Sequence, residues 1–401
     1  MSEMSDAHVA VSAATPDVHS TARLEQAGLL AVFGVGAALQ FSIAISQSLL
    51  AVAIACWVAL LVARRERVEV PRFFWPLALY AAVTLVSAAF SPQPRVSLID
   101  SKQLVLFLIV PLAYRFARGD RASTMATVVV SAGAVSAAYG IFQYGILHYD
   151  IHHRARGTLG HYMTFSGLVM LVLGVALARI LFGRRDRLWA ALVVPALAVA
   201  VAVTFTRNTI VGACVAAALL FALKDFRLFA VLPIIAAVFL TVAPAELTAR
   251  FTSIANMQDP TNRDRVAMLR EGARMVRAHP LLGVGPNMVE PLYADYRGPD
   301  AVEQINPHLH NVPMQIAAER GLPALAIWLG FVTMVLVDLA REFRRGGDRM
   351  LAAAALAAMA SALAAGVFEY NFGDSEFLMM LLLLITLPFA AARPASTELP
   401  A

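Results

Sequence analysis

The chain has 401 residues, 59% of them hydrophobic and only 15% charged, against roughly 45–50% and about 25% in an ordinary soluble domain. Together with a mean hydropathy of +0.69, this excludes a soluble enzyme. The net charge of +5 is carried almost wholly by arginine, since Lys102 and Lys224 are the only lysines, and the two cysteines, Cys56 and Cys214, lie inside apolar runs, which excludes a disulfide framework and a cysteine-based zinc site.

Residues 1–25 are polar and lack the basic start and small-residue cleavage pattern of a signal peptide, so they read as a disordered cytoplasmic tail. Apolar segments follow at 26–45, 47–63, 72–90, 103–117, 122–145, 162–182, 188–205, 208–223, 226–244, 322–340, 349–368 and 375–392. Each approaches the roughly 20 residues that span a bilayer. The expected fold is an all-α polytopic membrane protein of about twelve transmembrane helices. Nine fall within 26–244, a large helical periplasmic loop occupies 245–321, three more spans fall within 322–392, and 393–401 is a cytoplasmic tail. Alternate connections carry basic clusters: Arg64/Arg65/Arg67/Arg72, Arg115/Arg118/Arg121, Arg184/Arg185/Arg187, Lys224/Arg227 and Arg341/Arg344/Arg345/Arg349. By the positive-inside rule these loops and both termini are cytoplasmic.

The segment 245–321 must then face outward, and its eight arginines and nine acids are too evenly balanced for a nucleic-acid patch. Within it, NRDRVAMLREGARMVRAHP (262–280) predicts an amphipathic helix and LLGVGPN (281–287) the turn that ends it. Two shorter outward loops are also unusual, 146–161 with Arg154, Arg156 and four histidines, and 205–208 with Arg207.

Arg207 stands between two apolar spans with almost no polar loop, where a charge is costly without a partner. Either it snorkels to headgroups or pairs with Glu369 or Asp374, or it belongs to an anion site. At 100° per residue, Arg263, Arg270, Arg274 and Arg277 share a stripe about 60° wide, a solvated face, whereas Arg265 falls at roughly 200°, between Gly272 and the pair Leu269 and Val276. That puts Arg265 on the face expected to pack against the membrane domain, as half of a buried ion pair or as a ligand-facing group. In NPHLHNVPMQIAAERG (306–321), Asn311 suits a helix N-cap, Pro313 the first turn, and Gly321 the stop before Pro323 opens the next span. His310 therefore lies at a helix start, whose positive dipole end attracts phosphate and favours a neutral imidazole able to act as a general base.

His148, His152, His153, His161, His308 and His310 could supply imidazoles to a metal. There is no HExxH, and His308 and His310 are two apart rather than four apart on one helix face. No acidic pair in the outward loops suits a divalent ion, so the expectation is no metal and an arginine-clamped diphosphate instead.

With its long outward loop between two late spans, and with the blocks NRDRVAMLREGARMVRAHPLLGVGPN (262–287) and HNVPMQIAAERGLPALAIW (310–328), the chain resembles the O-antigen ligase family and its polymerase and protein oligosaccharyltransferase relatives. The two blocks cover about 45 residues directly, and the topology extends the match over most of the chain. The resemblance implies a C-type glycosyltransferase that moves glycan from undecaprenyl diphosphate to a sugar hydroxyl of lipid A–core, at the periplasmic face of the bacterial inner membrane. It implies His310 as the catalytic histidine and Arg207 and Arg265 as diphosphate ligands, in a metal-independent, inverting reaction without cofactor. Arg154 and Arg156 are supporting candidates at the diphosphate, and His308, Asn311 and Glu319 at the histidine or acceptor. The expected partners are the lipid-linked donor, lipid A–core and membrane lipids, with no nucleic acid, and the protein is expected to work as a monomer. The same-class alternative is a polymerase or protein O-oligosaccharyltransferase; the different-class alternative is a secondary transporter, against which stand the absence of repeated halves and the clustering of unusual residues on one face.

Overall fold

The computed structural model describes residues 18–394 apart from 254, 255, 257 and 300, and among these the regular elements are all helical. The chain runs through α1 (Val18–Ala38), α2 (Ile43–Arg64), α3 (Phe74–Ala89), α4 (Pro94–Asp100) and α5 (Ile109–Phe116), the last two joined by a 3-10 stretch into one bent element. It continues through α6 (Asp120–Gly145), α7 (Tyr162–Phe182), α8 (Arg187–Val203), α9 (Arg207–Lys224) and α10 (Val231–Val242). Three loop helices follow, α11 (Ala245–Thr252), α12 (Pro260–Ala278) and α13 (Val289–Tyr296), and then α14 (Val312–Arg345), α15 (Arg349–Gly366) and α16 (Ser375–Ala391).

Seven of these are long and apolar enough to cross a membrane, namely α2, the α4–α5 element, α6, α7, α9, α14 and α15, and four shorter apolar helices accompany them. With α1 they coincide with the twelve apolar segments of the sequence. The chain is thus a polytopic helical membrane protein. The centre is built from α7, α15 and α16, whose side chains are buried nearly all round, as befits helices apolar on every face. Seven consecutive residues of α15, Ala352–Ala358, are alanine except Leu356, and such small side chains let neighbouring backbones approach closely. At the periphery, Val62, Trp75, Leu188, Leu192 and Val242 are largely exposed, a surface suited to lipid.

Two expected boundaries change. Residues 18–25, placed in a disordered tail, form the first turns of α1, and Glu25 anchors them through ion pairs to Arg64 and Arg115. The rest of that tail, 1–17, and residues 395–401 lie outside the described residues. The expected loop 245–321 contains α11, α12, α13 and the opening of α14, so its last ten residues already belong to the helix that continues into the next span.

The loop is docked on the bundle by a second hydrophobic cluster, in which Met268 and Met275 of α12 meet Val284, Met288, Leu309 and Ala318. It is pinned by a short backbone ladder: Val284 N–H donates to Ala318, Gly285 N–H to Glu319 and Leu322 N–H to Pro280, each at 2.8 Å. This pairing demands glycine at both chains' closest approach. Gly321 breaks α14 with φ +82, and a Cβ there would lie 2.1 Å from the Leu281 carbonyl oxygen. A Cβ on Gly283, φ +67, would lie 2.2 Å from the Glu319 carbonyl carbon. On the membrane side, Ser97 donates to the Pro286 carbonyl at 2.8 Å, and the Ser87 hydroxyl lies 2.7 Å from the Leu282 carbonyl and 2.9 Å from that of Glu319.

Candidate active site at the loop end of the bundle

His310 stands two residues ahead of α14, whose N-cap is Asn311: its side chain accepts from Met314 N–H at 2.9 Å, and its amide donates to the Val367 carbonyl at 3.0 Å. The Asn311 side chain, and not the imidazole, thus takes the Met314 N–H. His310 has φ +48, an unusual backbone state for a bulky residue. Its ring is directed to Glu369 in the α15–α16 connection, Nδ1 lying 2.9 Å from one carboxylate oxygen, while Nε2 of His308 lies 2.8 Å from the other. An ionised carboxylate only accepts, so the two ring nitrogens facing it donate, and the tautomer this selects for a neutral His310 carries its lone pair on Nε2. Burial would raise the Glu369 pKa, but the hydrogen bonds from His308 and His310 outweigh it and hold the group well below the usual carboxylate range.

On the other side of the site, Arg207 opens α9 and is buried. The sequence offered Glu369 or Asp374 as its partner, but Asp259 takes that place, at 2.6 and 3.2 Å, with Asn262 at 3.3 Å. Asp259 is also the N-cap of α12, accepting from Thr261 N–H at 3.0 Å, so one carboxylate ties the loop helix to the membrane helix. The Arg207 guanidinium holds it down to about 2. Arg265, one turn into α12, lies at the edge of the buried face and not at its middle. The middle belongs to Asp264, Met268, Glu271, Gly272 and Met275, and Leu269 is exposed. The face is rotated because Asp264 and Glu271 bury themselves on backbone donors, Asp264 accepting from Val302 and Glu303 N–H and Glu271 from Gly298 N–H. Among the described residues no carboxylate ion-pairs with Arg265, and its Nε is buried without a hydrogen-bond partner. Burial and the Arg207 charge press its guanidinium below the usual arginine range, while the Glu369 charge opposes them. Arg265 therefore sits in the electrostatic reach of both halves of the site.

The supporting candidates separate. The Arg154 guanidinium lies 4.6 Å from the Tyr162 ring centroid and Nε donates to the Ile151 carbonyl; Tyr162 in turn lies within reach of Arg265. Arg156 is exposed. Glu319 is buried away from the histidines, paired with Arg320 at 2.6 Å and accepting from Asn287 N–H at 2.9 Å, so it holds the 281–287 turn. Two residues were not read from sequence. Glu369 appeared there only as a partner for Arg207, and Arg250 of α11 was unmarked; its Nε donates to the Phe205 carbonyl at 3.2 Å, and burial together with Arg207 and Arg154 lowers its pKa. Only contact across the fold reveals them.

A cavity of about 220 Å³ opens beside Glu369 and His308, lined by His161, Thr164, Asn208 and Asp374 and by Met170 and Phe377. Its polar lining is carboxylate, amide, hydroxyl and imidazole, with no guanidinium. Contrary to the expectation from spacing, His308, His310 and Glu369 bring ligand atoms within 4.8 Å of one another, a trio whose third member lies some sixty residues along the chain. These three residues are competent to hold a divalent ion.

The architecture and the site define a polytopic membrane protein with a histidine–carboxylate group beside a cluster of arginines. Residues 192–329 match the family model described as O-antigen ligase (Wzy_C), a match that supports membership of the O-antigen ligase/polymerase superfamily and a function of the ligase or polymerase type in polysaccharide biosynthesis. The matched segment carries Arg207, Arg250, Arg265, His308 and His310 but ends before Glu369. No curated protein matches the chain.

Proposed function

We propose that the protein is an O-antigen ligase that transfers glycan from undecaprenyl diphosphate to a sugar hydroxyl of lipid A–core, with all twelve apolar helices crossing the inner membrane and the loop helices facing the periplasm. The observation that carries this reading is the adjacency of a Glu369-held histidine to arginines that have more positive charge than the acids around them can neutralise. The donor diphosphate lies against Arg207 and Arg265, with Arg154 at its edge. Guanidinium groups bind its oxygens in pairs and stabilise the charge that develops as the glycosidic bond breaks. The acceptor hydroxyl gives its proton to Nε2 of His310 as its oxygen bonds the anomeric carbon from the opposite face. The electron pair of the breaking bond leaves with the diphosphate, so no general acid is required. Glu369 fixes the tautomer and balances the imidazolium that forms, and the polar cavity beside it suits the hydroxyls of a sugar next to the reacting bond. The docked loop helices exclude water that would hydrolyse the donor.

The His308–His310–Glu369 trio supports a second reading, activation of the acceptor by a bound divalent ion. One experiment separates the two. The purified protein is reconstituted with lipid-linked glycan and lipid A–core, with and without EDTA, and the products are resolved by gel. Transfer that withstands EDTA and disappears in His310→Ala supports the base; loss in EDTA with recovery on added metal supports the ion. Elongated lipid-linked glycan with untouched core makes the protein a polymerase, and a well-folded, fully active His310→Ala protein removes the base from the scheme.

A further inference from the structure

We propose that Arg250 is a third arginine of the diphosphate site, presenting its terminal nitrogens to phosphate oxygens beside Arg207 and Arg265; this rests on the donor reading above. The geometry begins at Phe205, two residues before Arg207, which adopts φ +54 and is fully buried, its ring 6.1 Å from that of Tyr144. Its carbonyl receives Nε of Arg250 at 3.2 Å. A guanidinium fastened through Nε keeps both terminal nitrogens for a fork onto two oxygens of one anion. The tether also joins α11 to the start of α9, so Arg250 and Arg207 approach the same space from two elements.

The charge balance points the same way. Arg250 lies within electrostatic reach of Arg207 and Arg154, and Arg265 within reach of Arg207. Across these four guanidiniums the single ion-paired carboxylate among the described residues is Asp259, on Arg207. Partly buried like charges repel strongly unless an anion joins them. A diphosphate diester supplies that anion, and its negative charge increases when the glycosidic bond breaks. A site with surplus cations therefore favours the departing diphosphate over the bound donor. Arg156, exposed to solvent, is outside this group.

The test uses the full-length protein in detergent and inorganic pyrophosphate as the probe, following thermal unfolding as pyrophosphate is added at fixed ionic strength. Wild-type protein is expected to be stabilised, with the apparent affinity weakened at least about tenfold in Arg250→Gln. Arg250→Lys, which keeps the charge and loses the fork, falls between the two. Arg277→Gln, on the exposed face of α12, behaves as wild type. Wild-type affinity in both Arg250 variants overturns the proposal, as does a wild-type protein that binds no pyrophosphate at millimolar concentration. If Arg250→Gln does not fold, the lysine variant decides by the same criterion. Arg250-dependent pyrophosphate binding in a protein that transfers no glycan overturns the functional reading and leaves the anion site standing.

Discussion

The two ends of the helix bundle treat arginine in opposite ways. At the end that carries the basic loops, Arg115 is enclosed by two acids: Nη1 and Nη2 meet Glu25 at 2.7 Å, and Nε and Nη2 meet Glu66 at 2.9 Å. Arg179 is likewise tied to Asp186, Thr127 and the Ser123 carbonyl, and Arg393 is ion-paired with Glu69. At the loop end, four arginines gather around Asp259 alone. Arginine saturated with carboxylates braces helices, whereas the arginines left with surplus charge lie where we propose that the anionic donor binds. Abundance alone would not distinguish the ends.

The widest separation between the two should come from paired substitutions. Arg265→Ala is expected to lower transfer by about 10²-fold while leaving the unfolding temperature of the detergent-solubilised protein unchanged or raised, because a poorly compensated charge is removed. Arg115→Ala should do the reverse, leaving Glu25 and Glu66 to share Arg64 alone and costing about 1–3 kcal/mol, with near-normal turnover per folded molecule. Equal losses of stability in both variants would erase the distinction. Next in size, Glu369→Gln should reduce transfer by about 10²-fold, and the acid limb of its pH–rate profile should move to lower pH, since a negative charge favouring the protonated base is gone. A merely structural Glu369 would lower activity without moving the limb.

The smallest effect concerns Asp259. Its folded-state pKa of about 2 lies below the ordinary 3.8, so its pairing with Arg207 contributes fully above pH 3.8 and is lost only as pH falls through about 2. Between pH 5 and 8 it does not titrate, and pyrophosphate affinity in that range should show no step attributable to it. Asp259→Asn keeps an N-cap oxygen and removes the competing anion. It should tighten pyrophosphate binding severalfold while raising hydrogen exchange along α12, both measurable on the same preparation.

Much of this was legible along the chain. Asn311, Gly321 and Pro323 announced a helix start and a break because caps and left-handed glycines are local chemistry, and the apolar periodicity located the helices. The glycines of LLGVGPN marked a turn, though not that it would pair with the backbone of 318–322. What failed was long-range. The buried face of α12 was misjudged because hydrophobicity pointed to Leu269 and Val276, while Asp264 and Glu271 found backbone donors in a segment some thirty to forty residues away. The partner of Arg207 was sought in the 369–375 loop and came from the cap of α12. Glu369 became a histidine partner only because the α15–α16 connection folds over residues 308–310.

That Glu369 lies forty residues beyond the segment matching the family model has a practical consequence for protein engineering. A chimaera that imports residues 192–329 into another polytopic helical scaffold would carry both imidazoles and three of the four arginines, but not the carboxylate that aligns the imidazoles or the Arg154–Tyr162 stack. Grafting the chemistry requires at least three separate stretches of chain, so exchanges of specificity are better sought by altering the walls of the polar cavity than by swapping the loop.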